Sequence, residues 1–340
     1  MAIAFRGWRE GDDLALNEIW GDPETFQAGQ FRGALAASSG GTVASGGAGA
    51  GAADGGPWRR CIVAEDVVDS VAIPVAAAVV YETSLHATRL WAYVEVAKDH
   101  RRAGLGATLV TMLRREAERA PSAVHALRCK VEPDTAGAAF AGAMGLHGIQ
   151  RSRMVVVAPG LLPLPRFGNG DDESAAAAVQ DLATGSVELT DVVGRYYEAI
   201  HGWDPTGALS AGTVQRLFLD DLAGAHGAVV LRTPPESAFG RDVPAGRKGP
   251  IRSFAVSYQP PETGAGDAAG PSEVFLGHEP ALAGGDAEAA IRDLLALIAY
   301  QHPVLLELDD AMEAVAAVVG PLLEAGQARQ LGAETLVVAD

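Results

Sequence analysis

The sequence predicts an α+β fold in which a mixed sheet with flanking helices occurs twice along the chain. Three observations support this prediction. A length of 340 residues is sufficient for two domains. The same order of strands and helices can be traced in both halves. Between the halves, a Pro-rich and then acidic stretch is typical of a linker. We therefore expect domains over 1–158 and 186–340, with a linker over 159–185.

Ten elements are predicted in the first half from the spacing of its apolar residues. Asp12 or Asp13 is placed to cap the first helix, because a short acidic side chain can accept the free amides there. Gly145 follows the last helix and suits the left-handed conformation that ends helices. In chain order the elements are a strand over 3–8, helices over 12–20 and 24–37, strands over 60–64, 71–81 and 89–97, a helix over 106–119, a strand over 124–131, a helix over 134–144 and a strand over 150–158.

The second half repeats this order with little residue identity. Three Gly-, Ala- or Pro-rich segments, 38–57, 234–250 and 260–272, are predicted to be loops. The elements expected after the linker are a strand over 186–189, helices over 192–201 and 211–223, strands over 227–232, 251–259 and 273–278, a helix over 286–300, a strand over 304–308, a helix over 312–325 and a strand over 334–338.

The composition narrows the classes of function. A net charge of −17 argues against nucleic acid or an anionic membrane as the main partner. Cys61 and Cys129 are too few for a disulfide scaffold or a cysteine-based zinc site, so two buried thiols and no metal are expected. No apolar run reaches the length of a membrane span, and the first residues lack the pattern of a signal peptide. We therefore expect a cytoplasmic protein.

The acidity is concentrated in the second half. Residues 1–160 contain 16 Lys and Arg against 17 Asp and Glu, whereas residues 161–340 contain 10 against 26. An anionic ligand would meet a strong negative field in the second half. The first half is therefore the predicted location of any site for an anion.

The segment most informative about chemistry is 90–107, LWAYVEVAKDHRRAGLGA. A β-rich run leads into Arg101 and Arg102, then into Gly104 and Gly106, and a helix begins there. Glycines let the backbone approach a ligand closely. The free amides at a helix N-terminus attract negative charge, and the arginines add to that attraction. These residues together predict a cradle for an anion.

Other anion-binding and catalytic motifs do not fit. The loop is too short for the phosphate-binding motif of nucleotide hydrolases, and it lacks the dinucleotide-binding glycine pattern. Neither a Gly-x-Ser-x-Gly sequence nor a metal-ligand cluster indicates a hydrolase.

Arg101, Gly104 and Gly106 resemble the Arg/Gln-x-x-Gly-x-Gly/Ala pyrophosphate-binding signature of the GCN5-related N-acetyltransferase (GNAT) superfamily. The resemblance covers the first half, and the element order of the second half is similar. It implies two GNAT-like domains in tandem and acetyl-CoA as a co-substrate, which lies between two splayed parallel strands in this family. The backbone of Val94 and Val96 would pair with the pantetheine arm. The residues implied at the pyrophosphate or beside it are Arg101, Arg102, Ala103, Gly104, Gly106, Ala107 and Asp134.

The catalytic residues are less well marked. Glu95 is the candidate base, because the resemblance places it on the splayed strand beside the thioester, and Tyr93 shares its face two residues away. The tyrosine that many relatives use as general acid falls at Ala141, which carries no proton. The common asparagine falls at Asp134, which could instead cap the helix that follows.

The second half lacks the cradle. Its corresponding stretch, 278–288, contains no arginine, and Asp286 and Glu288 lie where a pyrophosphate would need to be. We therefore predict a degenerate copy that supports the first.

The leading functional hypothesis is an N-acetyltransferase that acts by direct transfer on a small amine-containing substrate, as a single chain or a homodimer. The alternative is a CoA-binding or scaffold protein without turnover. A protein acetyltransferase is less favoured, because no peptide groove is evident in the sequence.

Overall fold

The computed structural model describes residues 2–40, 57–168, 170, 172–233, 248–258 and 270–340. Most of the three predicted loops therefore lies outside the described residues. The chain forms two compact units. Unit 1 comprises Met1–Gln150, Asp204–Gly207 and Thr335–Asp340, and unit 2 comprises Arg151–Trp203 and Ala208–Glu334.

Unit 1 is built around a mixed sheet with helices on both faces. In the order β1-β2-β3-β4-β5-β12, all neighbouring strands are antiparallel except β4 and β5, which are parallel. Its elements are β1 (Ala2–Gly7), α1 (Asp12–Trp20), α2 (Phe26–Arg32), β2 (Arg59–Val68), β3 (Val71–Tyr81), β4 (Leu90–Val96), α3 (Leu105–Ala117), β5 (Leu127–Val131), α4 (Ala136–Ala143) and the end of β12 (Ala328–Ala339).

The central strand β3 is buried on both faces. One row of its side chains packs with Leu109 and Leu113 of α3, and the other row packs with Leu16 and Trp20 of α1. Successive residues of a strand point to opposite faces, so two apolar clusters form on one backbone. The first row is Ala76, Ala78 and Val80, and the second is Val75, Ala77 and Val79.

Unit 2 contains a similar mixed sheet, in the order β6-β11-β10-β9-β8-β7. Here β10 and β11 are the parallel pair. The elements are the larger part of β6 (His147–Val157), α5 (Asp172–Ala178), β7 (Val179–Leu182), α6 (Val187–Ile200), α7 (Ala211–Val214), β8 (Ala225–Arg232), β9 (Ile251–Tyr258), β10 (Ser272–His278), α8 (Gly284–Ile298), β11 (Val304–Asp309), α9 (Glu313–Glu324) and the first part of β12.

The units do not follow the domain boundaries that the sequence predicts. Residues 152–157 of β6, from the first half, pair with residues 304–309 of β11 in unit 2. Residues 336–339 of β12, from the second half, pair with residues 128–131 of β5 in unit 1. Each unit thus takes one strand from the opposite half of the chain.

The cap predicted for α1 is wrong although the bounds of the helix are as predicted, and α2 begins later than predicted. Gly11, with φ +87°, precedes α1, so Asp12 is its first helical residue and not its cap. The buried Asp12 carboxylate instead accepts from the Arg9 amide at 2.6 Å and from Arg6. The Thr25 hydroxyl accepts from the Ala28 amide, which starts α2 later than predicted.

In the second half, two predicted elements are wrong and the linker is shorter than expected. Ser186 caps α6 by accepting from the Leu189 amide, so 186–189 is a helix start and not a strand. The first strand of that half, β7, lies inside the predicted linker and pairs with β8. The expected helix over 211–223 is interrupted, since α7 continues as a π turn and then as a short 3₁₀ turn.

Candidate functional site

The parallel strands of unit 1 separate after two residues. Among the described residues, β4 and β5 pair at Leu90–Leu127 and at Trp91–Arg128, and no further along. β4 remains paired with β3 on its other side as far as Val96. The rest of β4 therefore presents an open backbone edge toward a wedge-shaped gap.

Val94 and Val96 direct their backbone groups into this gap. In an antiparallel ladder, alternate residues bond to the partner strand and the residues between them face away. The Ala97 amide donates to the Val75 carbonyl at 2.8 Å, which places Ala97, Glu95 and Tyr93 in the set that faces β3. Val94 and Val96, the two residues predicted to pair with an extended ligand, belong to the outward set.

The loop after β4 is open to solvent and rich in free amides. Arg102 (φ +66°) and Gly104 (φ +83°) are both left-handed, a conformation that aims successive amides at one point. Gly104 precedes α3 without a side-chain cap, so the first amides of that helix have no intrahelical partner. Arg101, Arg102 and Ala103 are exposed, and Ala107 is half-buried.

The two signature glycines have different physical roles. A Cβ on Gly104 would point into open space, so the left-handed φ is what favours glycine there. A Cβ on Gly106 would lie 3.1 Å and 3.3 Å from ring carbons of Phe140, on α4. Gly106 thus lets α4 pack close to the start of α3. A solvent-facing loop with free amides could hold a diphosphate, and the open space at Gly104 leaves room there.

Arg101 already has partners. Its Nε donates to the Val96 carbonyl at 2.9 Å, and its Nη1 lies 3.1 Å from a Glu24 carboxylate oxygen. Lys98 is 3.2 Å from the other oxygen of Glu24. The hydrogen bond from Arg101, supported by Lys98, holds the pKa of Glu24 below its usual value. One of the open carbonyls of β4 is therefore occupied by an arginine of the adjacent loop.

Tyr93 and Glu95 are in contact on the face that α2 covers. The Tyr93 hydroxyl donates to Glu95 Oε2 at 2.5 Å. Arg32 Nε donates to the same oxygen at 2.8 Å, and Arg32 Nη2 donates to Oε1 at 2.5 Å. Burial, and then the negative charge of Glu95, raise the pKa of Tyr93 far above its usual value, so this hydroxyl stays neutral.

Arg32 is held from several sides. Its Nη1 donates to the Gly21 carbonyl at 2.7 Å, and its guanidinium carbon is 5.1 Å from the centre of the Trp20 ring. The hydrogen bond to Glu95 raises the pKa of Arg32, which remains charged. The predicted base is thus one half of a bidentate ion pair whose side chains are about one-tenth exposed.

Two further predictions concern α4. Asp134 does not cap this helix: it lies exposed at φ +59°, and the Thr135 hydroxyl accepts from the Ala138 amide at 3.2 Å instead. Threonine has the extended backbone that a cap needs, whereas Asp134 is in a left-handed turn. Ala141 is 3% exposed, so the position expected for a general acid is part of the apolar core.

A buried charge cluster lies where β4 and β5 diverge. Arg128 forms an ion pair with Asp204, and its guanidinium carbon is 4.1 Å from the centre of the Trp91 ring. Thr88 and Arg89 bind the Asp204 carboxylate at 2.5 Å and 3.0 Å. The sequence contains no signal for this cluster or for the pairing of Arg32 with Glu95, because the partners are far apart along the chain.

Unit 2 has a comparable gap without the same chemistry. β10 and β11 pair at Ser272–Val304 and Glu273–Leu305 among the described residues. The Glu279 amide bonds to the Arg252 carbonyl as Ala97 bonds to Val75, so Gly277 takes the place of Glu95.

No carboxylate fits at Gly277. A Cβ there would lie 2.4 Å from Phe254 and 2.6 Å from Tyr196. In the following loop, the Glu279 carboxylate accepts from the Ala281 amide at 3.3 Å and from Arg195 at 2.6 Å. An acidic side chain thus occupies the loop that corresponds to the cradle.

No helix in the described part of the chain is both long and apolar enough to cross a membrane. Within the same residues, no three His, Cys, Asp or Glu side chains are grouped as a metal site would require.

Comparison with known proteins reveals a likeness of fold. A GCN5-related N-acetyltransferase from Sphaerobacter thermophilus matches with a TM-score of 0.51 and 13% identity, over 99% of this chain and 95% of that one. A Pyrococcus horikoshii structure assigned as an acetyltransferase matches at 0.46 and 10%, over 99% and 89%. A GCN5-related N-acetyltransferase from Kribbella flavida matches at 0.31 and 21%, over 44% and 84%. No family model and no curated protein matches the sequence.

Proposed function

We propose that this chain, which has the fold of the GCN5-related N-acetyltransferases, transfers an acetyl group from acetyl-CoA to the amine of a small acceptor, by direct transfer in unit 1. One observation carries the proposal. The open edge of β4 leads, without an intervening element other than a 3₁₀ turn, into the left-handed loop and the uncapped start of α3. An extended arm and a diphosphate are the two parts of CoA that such an edge and such a loop would hold.

Each part of the cradle has a separate task. Val94 and Val96 would offer backbone groups to the pantetheine amides, as a further strand would. The amides from Arg102 to Ala107 would bind the pyrophosphate, and Arg102 would add charge. Arg101 would leave the Val96 carbonyl and Glu24, its two partners in the structure. The ion pair between Arg101 and Glu24 is exposed and therefore weak, so its loss would cost little free energy.

Acetyl-CoA would supply an activated acyl group, and the chain would handle the proton of the amine. Glu95 Oε1 accepts one hydrogen bond, from Arg32, so one lone pair on that oxygen remains. Glu95 is therefore proposed to accept a proton from the amine, directly or through a water. The amine nitrogen would bond to the acetyl carbon, the thioester C–S bond would break, and the CoA thiolate would take its proton from water. Tyr93 would orient Glu95, since its hydroxyl already donates to that carboxylate. Positioning would supply much of the remaining rate.

Unit 2 is proposed to bind no CoA, because Gly277 and Glu279 stand where unit 1 has Glu95 and a cationic loop. A cytoplasmic location is part of the proposal. The chain would act alone or as a homodimer.

The alternative function, CoA binding without turnover, is supported by the buried Ala141 and by the bidentate ion pair of Glu95 with Arg32.

Two measurements distinguish the transferase from CoA binding without turnover. A thermal shift with acetyl-CoA, CoA and, as control, NAD tests binding, because ligand at about 100 times Kd stabilises the folded state by about 2.7 kcal/mol. Release of free CoA thiol across an amine panel then tests turnover. Stabilisation by CoA compounds with thiol release supports the transferase; stabilisation without release supports the alternative, and no stabilisation contradicts both.

A further inference from the structure

A buried glutamine on α2 has a side-chain oxygen without a hydrogen-bond partner among the described residues. Gln27 is 6% exposed, and its Nε2 donates to the Thr335 hydroxyl at 2.5 Å. Its Oε1 has no hydrogen-bond partner among the described residues. An unpaired buried acceptor is unfavourable and therefore calls for an explanation, such as a ligand that completes it. The bond to Thr335 fixes the plane of the amide and hence the direction of the free oxygen.

This oxygen lies on the side of α2 that crosses the gap. Gln27 and Phe31 are four residues apart and share one helix face. The Phe31 ring stacks on Tyr93 with centroids 5.4 Å apart and an interplanar angle of 14°, which places that end of α2 over β4. Thr335 immediately precedes Leu336, the partner of Val131 at the end of β5. The helix therefore extends from β4 to β12, across the region where β4 and β5 have separated.

A lysine that forms no ion pair with any described carboxylate is on the same side of the sheet. Side chains alternate along β5: Leu127, Cys129 and Val131 join the cluster under α3, so Arg128 and Lys130 face the α2 side. Arg128 is paired with Asp204, whereas no carboxylate of the described residues forms an ion pair with half-buried Lys130.

Lys130 lies near His86, whose pKa its charge helps to lower, and also near Thr335. Burial, followed by the positive charges of Arg128 and Lys130, lowers the pKa of His86 to about 4. Lys130 is opposite Val337 on β12, two residues from Thr335 on the same face, within the reach of a lysine side chain.

We propose that Gln27 and Lys130 select an acceptor that carries both an amine and a carboxylate, that is, a free α-amino acid or a close analogue. Gln27 Oε1 accepts a hydrogen bond from the amine N–H, and Lys130 Nζ pairs with the carboxylate. Arg32 and Arg128 do not serve the carboxylate, because Glu95 and Asp204 already neutralise them. The proposal rests on the proposed transferase function and adds its substrate class.

The test compares α-amino acids with the amines obtained by removing their carboxylate. The wild-type chain, first shown to be stabilised by acetyl-CoA, is assayed for thiol release with the twenty standard amino acids and with their decarboxylated counterparts. We expect release with a subset of the amino acids and at least tenfold lower kcat/KM with the matching amines. Saturation-transfer NMR of the same amino acids on the CoA-loaded chain provides a readout without turnover.

Two variants test the proposed contacts of Lys130 and Gln27 separately. Lys130→Met should raise KM for the amino acid about tenfold or more and leave KM for the matching amine unchanged. Gln27→Leu should raise KM for both. Matched controls are Lys248→Met and Gln30→Leu, both at exposed positions, the second on α2 itself. Thermal unfolding verifies that each variant is folded.

A failure of the proposed transferase function can be distinguished from a failure of this inference. Absence of stabilisation by acetyl-CoA overturns the transferase and this inference with it. If acetyl-CoA binds, thiol release with neither panel supports CoA binding without turnover and overturns this inference with the transferase. This inference alone is overturned by thiol release with amines as efficient as with amino acids, or by equal effects of Lys130→Met on both.

Discussion

Replacement of Asp204 should strongly lower the free energy of unfolding of unit 1. Its side chain is completely buried, and its carboxylate is the counter-charge for Arg128, which is 1% exposed. Thr88 and Arg89 bind the same carboxylate at 2.5 Å and 3.0 Å. Asp204→Leu would leave Arg128 charged, buried and without its partner. Loss of one member of a buried ion pair typically costs about 3–5 kcal/mol of stability.

Arg128→Leu should cost less, because Asp204 would keep Thr88 and Arg89. The double variant should recover part of the loss, since two apolar groups replace two charges and neither is left alone in the interior. The coupling free energy from the double-mutant cycle should therefore be of order 1–3 kcal/mol.

Urea denaturation is the assay. Tryptophan fluorescence follows mainly unit 1, which contains four of the five tryptophans, among them Trp91, whose ring is 4.1 Å from the guanidinium carbon of Arg128. Asp204→Leu should lower the midpoint by about 1–3 M at an ordinary denaturant dependence. The control Asp99→Leu removes an exposed carboxylate of the same unit and should leave the midpoint nearly unchanged. A loss below about 1 kcal/mol, or additive single effects, would refute the reasoning.

Three other predictions concern the interior. Burial, followed by the charges of Arg128 and Lys130, lowers the pKa of His86 to about 4, so protonation opposes folding. Stability should be full above the unfolded pKa of about 6.5 and decrease by up to about 3 kcal/mol as pH falls to about 4, with the slope removed in His86→Asn; urea titrations at several pH values measure it. Burial raises the pKa of the Cys61 and Cys129 thiols to about 12, so neither should react with a thiol reagent at pH 8 until urea is added. Gly277→Ala should lower the urea midpoint of unit 2 because its Cβ would lie 2.4 Å from Phe254, whereas Gly284→Ala, at an open position, should not.

Local patterns predict the elements of the first half well. The helix over 12–20 and the strand over 71–81 agree with α1 and β3 at both ends. Their signals are local: a glycine or aspartate punctuates each, and the apolar spacing suits one secondary structure. The signal for the loop between β4 and α3 is likewise local, so the position of that loop could be predicted from sequence.

Competition between caps explains most boundary errors. Asp134 and Thr135 are adjacent candidates, and only the backbone angle at each position decides which side chain caps α4. Ser186 is followed by residues that suit a strand, yet its hydroxyl starts a helix. Propensity cannot settle these cases, since the choice depends on the turn that precedes the helix.

Local sequence patterns do not predict which strands pair in the sheet or which side chains meet at the candidate site. β6 and β12 each pair with a strand from the opposite half of the chain, and neither sequence contains a local signal for that partner. Arg32 is 63 residues from Glu95, and Gln27 is 308 residues from Thr335. These contacts define the chemistry of the α2 side, and they emerge from the tertiary packing alone.

The central claim is one CoA site per chain, at the loop that precedes α3. Calorimetric titration with acetyl-CoA tests it most directly, in the wild type and in three variants. Gly104→Glu places a carboxylate in front of the free amides, Gly104→Asn tolerates the left-handed backbone without charge, and Gly284→Glu adds the same charge at the start of α8. The account predicts one site per chain, lost in Gly104→Glu and retained in the other two variants. Two sites, no binding to the wild type, or unchanged binding to Gly104→Glu would contradict it.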